Sequence, residues 1–204
     1  MGFYRDQVLP RLTSVLLANP ELAKIRQRVA AGLSGEVLEV GFGSGLNVPY
    51  YPSQVQRVRA VDPATVGRKL AAKRVAASRV PVDYVGLDGE NLPVGSGDVD
   101  HVLVTWTLCT IPDVTGALRE MHRVLRPGGQ VHFVEHGRSP DPGVARWQDR
   151  LTPLQRRCAG GCHLNRPIDR LVEAAGFELG NVQTYYASGP RVIAYLYEGS
   201  ATKR

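Results

Sequence analysis

Glu39-Val40-Gly41-Phe42-Gly43-Ser44-Gly45 stands between the β-branched run Glu36–Val40 and a short helical stretch, Leu46–Tyr51, so it reads as a strand-to-helix turn. Its glycines let the backbone come close to a ligand and aim free N–H groups at it. A dinucleotide fingerprint, G-x-G-x-x-G, opens the same way and also wants an acid about 20 residues on, where Asp62 stands. Here, however, the third glycine is Gly45, and Leu46 fills the place where that fingerprint needs glycine or alanine for close helix–strand packing. Glu39 in front of the loop suits a ligand with a cationic ammonium group and suits a pyrophosphate badly. The loop therefore points to an amino-acid-bearing nucleoside. The plain alternative for Glu39 is a surface carboxylate at a strand end.

Downstream, β-branched runs at Arg57–Val61, Val82–Val85, Val99–Thr105 and Gln130–Glu135 alternate with helical patterns at Ala64–Ser78 and Val114–Leu125, the last stopped by Pro127-Gly128-Gly129. That rhythm predicts an α/β fold, a doubly wound, Rossmann-like parallel sheet with crossover helices. Phe177–Ala187 and Val192–Tyr197, parted by Ser188-Gly189-Pro190, predict an antiparallel C-terminal hairpin and seven strands in a mostly parallel sheet. Upstream, Val8, Leu12, Val15 and Leu16 recur at helical spacing, as do Leu22, Ile25 and Val29 after the Asn19 cap and Pro20. Residues 1–33 thus read as N-terminal cap helices. Residues 137–163, rich in Pro, Gly and Arg, read as an insertion that forms a lid over the sheet edge, followed by a helix at Arg166–Ala175. Residues 1–204 read as one domain.

A composition of 43% hydrophobic and 22% charged residues, without repeats, excludes disordered and solenoid classes. Cys109, Cys158 and Cys162 are too few, and odd in number, for a disulfide framework, and no signal-peptide layout is present, so a cytoplasmic setting is expected. No apolar run approaches the ~20 residues of a membrane span. Peripheral membrane contact stays open through the amphipathic first helix, with Phe3 and Tyr4 before it. The net charge of +6 comes from scattered arginines, a solvated face rather than a nucleic-acid surface.

The E-x-G-x-G-x-G loop, Asp62, Leu87-Asp88-Gly89-Glu90, and Leu125-Arg126-Pro127-Gly128-Gly129 before the fifth strand together resemble the class I methyltransferases that use S-adenosylmethionine (SAM). The resemblance runs from about Gly35 to Glu135. It implies SAM as cofactor, S-adenosylhomocysteine as product, and a cofactor site made of Glu39, Gly41, Gly43, Gly45, Asn47, Asp62, Pro63, Asp88, Gly89 and Thr105. In that scheme Asp62 holds the ribose hydroxyls, Asp88 and the Gly89 backbone meet the adenine edge, and Thr105 lies near the methionyl part. The structural alternatives are a strand-end cap for Asp62, a turn former for Asp88 and a buried strand residue for Thr105.

More narrowly, Asn47 with Tyr50-Tyr51-Pro52, Thr107-Leu108-Cys109-Thr110-Ile111, Phe133-Val134-Glu135-His136 and Gly161-Cys162-His163-Leu164-Asn165-Arg166 resemble the methyltransferase-like 7 group. Those are thiol S-methyltransferases and bacterial relatives, sometimes grouped with phospholipid N-methyltransferases. The resemblance implies methyl transfer to a small acceptor, a thiol or hydrosulfide. The alternatives are a lipid head group, quinone or other lipophilic oxygen or nitrogen acceptor, and a SAM-binding protein without turnover. Animal members carry an apolar N-terminal membrane segment where this sequence has a short amphipathic helix, so membrane residence does not carry over.

Methyl transfer from a sulfonium is an in-line displacement that depends mainly on positioning in a dry pocket. A thiol acceptor, with a pKa near ~8.5, reacts as the thiolate, so a base or a positive environment helps. His136 at the end of the fifth strand is the first candidate, with Glu135 beside it and His163 in the insertion; the alternative for His136 is a hydrogen bond to a turn. Strand alternation is expected to send Glu135 and His136 to opposite faces. Trp106 and Cys109 after the fourth strand, and Trp147, Cys158 and Cys162 in the insertion, either line the acceptor site or pack in the core. Cys158-x-x-x-Cys162-His163 hints at a metal, but no second spaced pair completes four ligands, so none is expected. Nor is a nucleic acid expected: Thr105-Trp106-Thr107-Leu108 lacks the Asn or Asp, Pro, Pro, aromatic clamp typical of enzymes that modify a base amino group.

Overall fold

The computed structural model describes residues 4–204; Phe3 lies outside the described residues. After a π-helical turn at Tyr4–Val8 come α1 (Leu9–Leu16), α2 (Pro20–Ala30), β1 (Gly35–Val40), β2 (Val55–Val61), α3 (Thr65–Ala76), β3 (Val82–Gly86), β4 (Val99–Thr105) and α4 (Val114–Val124). They are followed by β5 (Leu125–His136), α5 (Pro142–Cys158), α6 (Ile168–Ala174), β6 (Phe177–Tyr186), the single turn α7 (Arg191–Ala194) and β7 (Tyr195–Lys203). The 7-stranded sheet runs β3-β2-β1-β4-β5-β7-β6, with β7 antiparallel to both neighbours. Strand order reverses between β1 and β4, which opens a crevice at their carboxyl ends.

The carboxyl halves of the central strands β1 and β4 are buried residue after residue because helices cover both faces. Leu38, Val102, Val104, Val131 and Phe133 point to one side, against Leu118 and Met121 of α4 and Ile168 and Val172 of α6. Their neighbours Val37, Leu103 and Val134 point to the other, against Ile25, Val29 and Leu33.

Three expected elements differ. Leu46–Tyr51 is reduced to a 3-10 turn at Val48–Tyr50, because Pro49 and Pro52 remove the donors an α-helix would need. The second hairpin strand starts at Tyr195 rather than Val192 and continues to Lys203: Pro190 opens a helical turn, and the long partner β5 pairs Leu196 through Thr202 despite their weak strand propensity. The insertion is mostly regular. It holds α5, which Asp141 caps by accepting the Gly143 and Val144 N–H groups and which Pro142 starts; the glycines that made it look irregular lie near its ends. In addition, Pro127-Gly128-Gly129 do not follow α4 as a separate stop. They bulge within β5, between Leu125 opposite Val99 and Gln130 opposite His101.

His132 of β5 is buried, with Nε2 3.1 Å from Nδ1 of His101 on β4. Burial, helped by His101, lowers its pKa to about 4. The unfolded chain takes up that proton near pH ~6.5 and the folded chain only near 4, so the stabilisation is present above ~6.5 and is lost as pH falls toward 4. Urea denaturation should show the stability difference between the protein and His132→Gln moving against the unsubstituted protein by ~2 kcal/mol from pH 7 to pH 4.5. A difference independent of pH would refute the assignment.

Candidate active site

The cofactor loop leaves β1 at Val40, and Gly41, Gly43 and Gly45 all take positive φ, at 80°, 54° and 71°. A side chain at Gly41 would begin 2.0 Å from Oγ1 of Thr107, so glycine is required where the loop touches the turn after β4. At Gly43 only the Gly41 carbonyl, 3.9 Å away, lies near that position, and the loop is open there. Asp62 at the end of β2 accepts the Gly43 N–H (2.6 Å) and the Ala64 N–H (2.7 Å), and burial raises its pKa against those bonds. It therefore caps the loop and the entry to α3, while each oxygen keeps a free lone pair. Pro63 follows it, exposed. Asp88 is exposed and accepts the Glu90 N–H (2.8 Å) in a tight turn, whereas Gly89 lies against Val40 and Ile111.

Glu39 is almost wholly buried. Its carboxylate accepts the Asn47 amide (3.0 Å) and the Tyr51 hydroxyl, and Asn47 in turn accepts from Arg26 (2.8 Å). Thr105 Oγ1 accepts from both Arg26 and Asn47, at 3.1 Å each. Burial raises the Glu39 pKa to about 7, and burial lowers that of Arg26 to about 10. The Arg26 guanidinium also lies 4.5 Å over the Trp106 ring, and Trp106 takes an unusual φ of 49°. Arg26 Nε, Arg68 Nε and Tyr84 Oη are buried without a partner among the described residues. Arg68 stacks on Tyr84 (4.4 Å) within electrostatic reach of Asp62. Orphaned donors around an open glycine loop fit a ligand with a carboxylate, hydroxyls and ring nitrogens.

A second cluster occupies the ends of β4 and β5. Glu135 accepts the N–H groups of Thr107 (2.6 Å), Leu108 (2.9 Å) and Cys109 (3.3 Å), and burial raises its pKa to about 7. His136 Nε2 lies 3.1 Å from Cys162 Sγ, and a ligand atom from each of Cys109, His136 and Cys162 lies within 4.8 Å of the others. Burial opposes charge on His136, but Cys162 and Glu135 outweigh it and raise its pKa. The Cys109 thiol, then His136, hold Cys162 well below the usual thiol range, while Cys162 and burial push Cys109 up. Cys162 and His136 are thus placed to share one proton across their 3.1 Å contact. Glu135 and His136 alternate along β5 and still flank one cluster, Glu135 through the backbone of the Thr107–Cys109 turn and His136 through Cys162.

Of the candidate acceptor residues, Cys109 and Cys162 meet at this edge, whereas Trp106 packs with Arg26 on the α2 side of the sheet. Trp147 lies exposed on α5 beside Asp141, Val144 and Arg191, and Cys158 is exposed at the end of α5. His163 donates its backbone N–H to the Cys109 carbonyl (2.8 Å) and brings its ring to the same oxygen, so it braces the turn. The cover at this edge includes α1: Ser14 hydrogen-bonds Ser44 of the loop (2.8 Å), Leu9 abuts Gly160, and the Tyr4 hydroxyl donates to the Cys158 carbonyl. Sequence reasoning missed Arg26, Thr107 and Arg166, the last donating to the Leu108 and Pro112 carbonyls. Only Gly41 hinted at Thr107, through the need for space.

Residues 38–133 match the family described as "Methyltransferase domain". The human thiol S-methyltransferase TMT1A is 37% identical over 153 residues, which cover 72% of this chain and 62% of that protein, so the chain spans under two thirds of that relative's length. A phosphatidylethanolamine N-methyltransferase of Cereibacter sphaeroides is 31% identical over 123 residues, covering 54% of this chain and 57% of that protein. Among solved structures, a SAM-dependent methyltransferase of Thermotoga maritima, titled a possible histamine N-methyltransferase, superposes with a TM-score of 0.71 at 22% identity, covering 99% of each chain. Residues 38–133 are thus a methyltransferase domain, and the fold is that of the SAM-dependent methyltransferases, whose cofactor is SAM. Within the class its sequence is similar to the thiol S-methyltransferases.

Because Glu39 titrates near 7 when buried, SAM affinity should depend on its ionisation. Calorimetry between pH 6 and pH 7.5, below the ~7.7–8.0 of an α-amino group, should show affinity rising about fivefold. In Glu39→Gln the affinity should be weaker and flat across that range. A rise of equal size in the variant would remove Glu39 from recognition of the ammonium group.

Proposed function

We propose that this protein transfers the SAM methyl group to the sulfur of a small thiol or hydrosulfide. The observation that carries the reading is the contact of Cys162 Sγ with His136 Nε2 at 3.1 Å, with Cys109 beside it, on the crevice edge that Thr107 joins to the cofactor loop. That contact puts a proton acceptor at the edge where an acceptor sulfur would meet the methyl group. Its burial, with Cys109 at 2% and Cys162 at 5% exposure, favours a small acceptor. The free cysteines suit a reducing, cytoplasmic setting.

SAM supplies an electrophilic methyl group on a sulfonium. Gly41, Gly43, Gly45 and Asp62 hold its nucleoside, with Pro63 beside them and Asp88 and Gly89 at the adenine edge. Glu39, through Asn47 and Thr105, sets the field at the amino-acid end, and Arg26 balances its charge. The acceptor thiol would give its proton to the Cys162–His136 pair, which shares a single proton and keeps one lone pair free; its sulfur would bond the methyl carbon in line as the sulfonium C–S bond breaks, leaving S-adenosylhomocysteine. Glu135 fixes the 107–109 turn and favours the protonated His136.

The test is incubation with labelled SAM and a panel of hydrosulfide, alkyl thiols, quinols and phosphatidylethanolamine, read by mass spectrometry. Thiols should be methylated, and His136→Gln should lower kcat/KM by about 10²–10⁴-fold with SAM affinity within about twofold. SAM binding with no methylated product across thiols, phenols and amines would sink the reading.

A lipophilic acceptor at a membrane surface is the second reading, favoured by α1. None of its residues is buried; Leu12, Val15 and Leu16 are 47%, 74% and 60% exposed, although no helix among the described residues is long and apolar enough to cross a membrane. Co-sedimentation with anionic liposomes, abolished by Leu12→Glu with Leu16→Glu, would support it. No binding at low salt would remove it.

A further inference from the structure

We propose that Cys109, His136 and Cys162 form a binding site for a soft divalent metal ion, Zn²⁺ above all, and that its occupation reversibly blocks methyl transfer. The three ligand atoms come from separate parts of the chain: the turn after β4, the end of β5 and the segment after α5. They nevertheless converge within 4.8 Å of one another. A tetrahedral zinc site with Zn–S near ~2.3 Å and Zn–N near ~2.0–2.1 Å sets its ligand atoms roughly 3.5–3.8 Å apart. From the 3.1 Å contact of Cys162 with His136 and the 4.8 Å limit for the others, shifts of about an ångström suffice. Two thiolates and an imidazole select zinc or another soft ion over magnesium or calcium.

The surroundings support each ligand as a metal centre requires. Glu135 accepts the Cys109 N–H, the His163 backbone lies within hydrogen-bonding reach of the His136 ring, and the Gln155 amide lies 3.9 Å from Cys162 Sγ. Charge also balances: the Glu135 carboxylate and two thiolates offset a divalent ion together with the Arg166 guanidinium, which lies within electrostatic reach of both cysteines and Glu135. Cys158, four residues before Cys162, is exposed and outside the cluster. Cys109 and His136 are the partners that Cys162 has instead.

Binding is an exchange of protons for metal: the ion takes a lone pair from each sulfur and from the imidazole nitrogen, and any thiol proton still present goes to solvent. With Cys162 and His136 both ligated, the pair has no lone pair left for the acceptor's proton. Inhibition therefore rests on the proposed thiol methylation, whereas metal binding does not.

The experiment uses chelator-treated full chain titrated with Co²⁺ and then Zn²⁺, with SAM affinity and thiol methylation measured alongside. One Co²⁺ per chain should bind with a sulfur-to-cobalt charge-transfer band that Zn²⁺ displaces. Cys109→Ser, Cys162→Ser and His136→Gln should each weaken binding by at least about tenfold, with Cys158→Ser as an unaffected control. Thermal melts without metal show whether each variant is folded, and competition by the folded ones decides the assignment. Absence of the band, or its persistence in the Cys109→Ser/Cys162→Ser double variant, overturns the site. Binding without loss of methylation overturns the blocking role. If metal binds as expected but the metal-free protein methylates no thiol, the function fails and the site stands.

Discussion

Glu135 has no solvent exposure, and its carboxylate accepts three consecutive backbone N–H groups, from Thr107, Leu108 and Cys109. A buried carboxylate is costly unless donors replace its water, and here the turn after β4 supplies them. The exchange works both ways, since those N–H groups would otherwise be orphaned where β4 ends. It ties the ends of adjacent strands together. Trp106 is held at its unusual φ between the Thr105 network and this turn, with its N–H on the Val134 carbonyl (2.8 Å). Thr107 is pressed against Gly41, so the turn fixed by Glu135 also limits the conformation of the cofactor loop.

The sheet carries a second buried acid, Glu39, and the two lie on opposite sides. Glu39 follows the register of Val37, which faces α2, while Glu135 follows Phe133, which faces α4. Both have pKa values raised to about 7 by burial, and each is near a buried arginine, Arg26 for Glu39 and Arg166 for Glu135. Their donors differ. Side chains satisfy Glu39, so its hydrogen bonds can rearrange by rotamer changes; backbone satisfies Glu135, whose donors move only with the turn. An adaptable acid beside the glycine loop and a rigid one beside the Cys109–Cys162 cluster give the two sides of the crevice different stiffness.

What the sequence showed well was local. The glycine loop, the strand ends at Asp62 and Thr105, and the alternation of strands with helices depend on neighbours a few residues away. Arg26 was missed because an arginine on an amphipathic helix reads as solvated, and only the packing of α2 on β5 and on the Val48–Tyr50 turn brings it inward toward Asn47. The length of β7 was missed for a similar reason: Gly199-Ser200-Ala201-Thr202 becomes strand through pairing with β5, not through its own preference. The pairing of Cys109 with Cys162 joins residues far apart in the chain, and no local spacing encodes it.

Cys158 and Cys162 show how spacing misleads. Residues four apart share a face only while a helix continues. Here α5 ends at Cys158, and Gly160 and Gly161, at φ of 65° and 96°, turn the chain so that Cys162 enters the protein while Cys158 stays in solvent. The same turn brings His163 to the Cys109 carbonyl, so the reversal that separates the two nearby cysteines joins the two distant ones. The thiol cluster is therefore a product of the αL glycines and of the turn that Glu135 holds, and a change at either place should disperse it without altering any of its sulfur or imidazole groups.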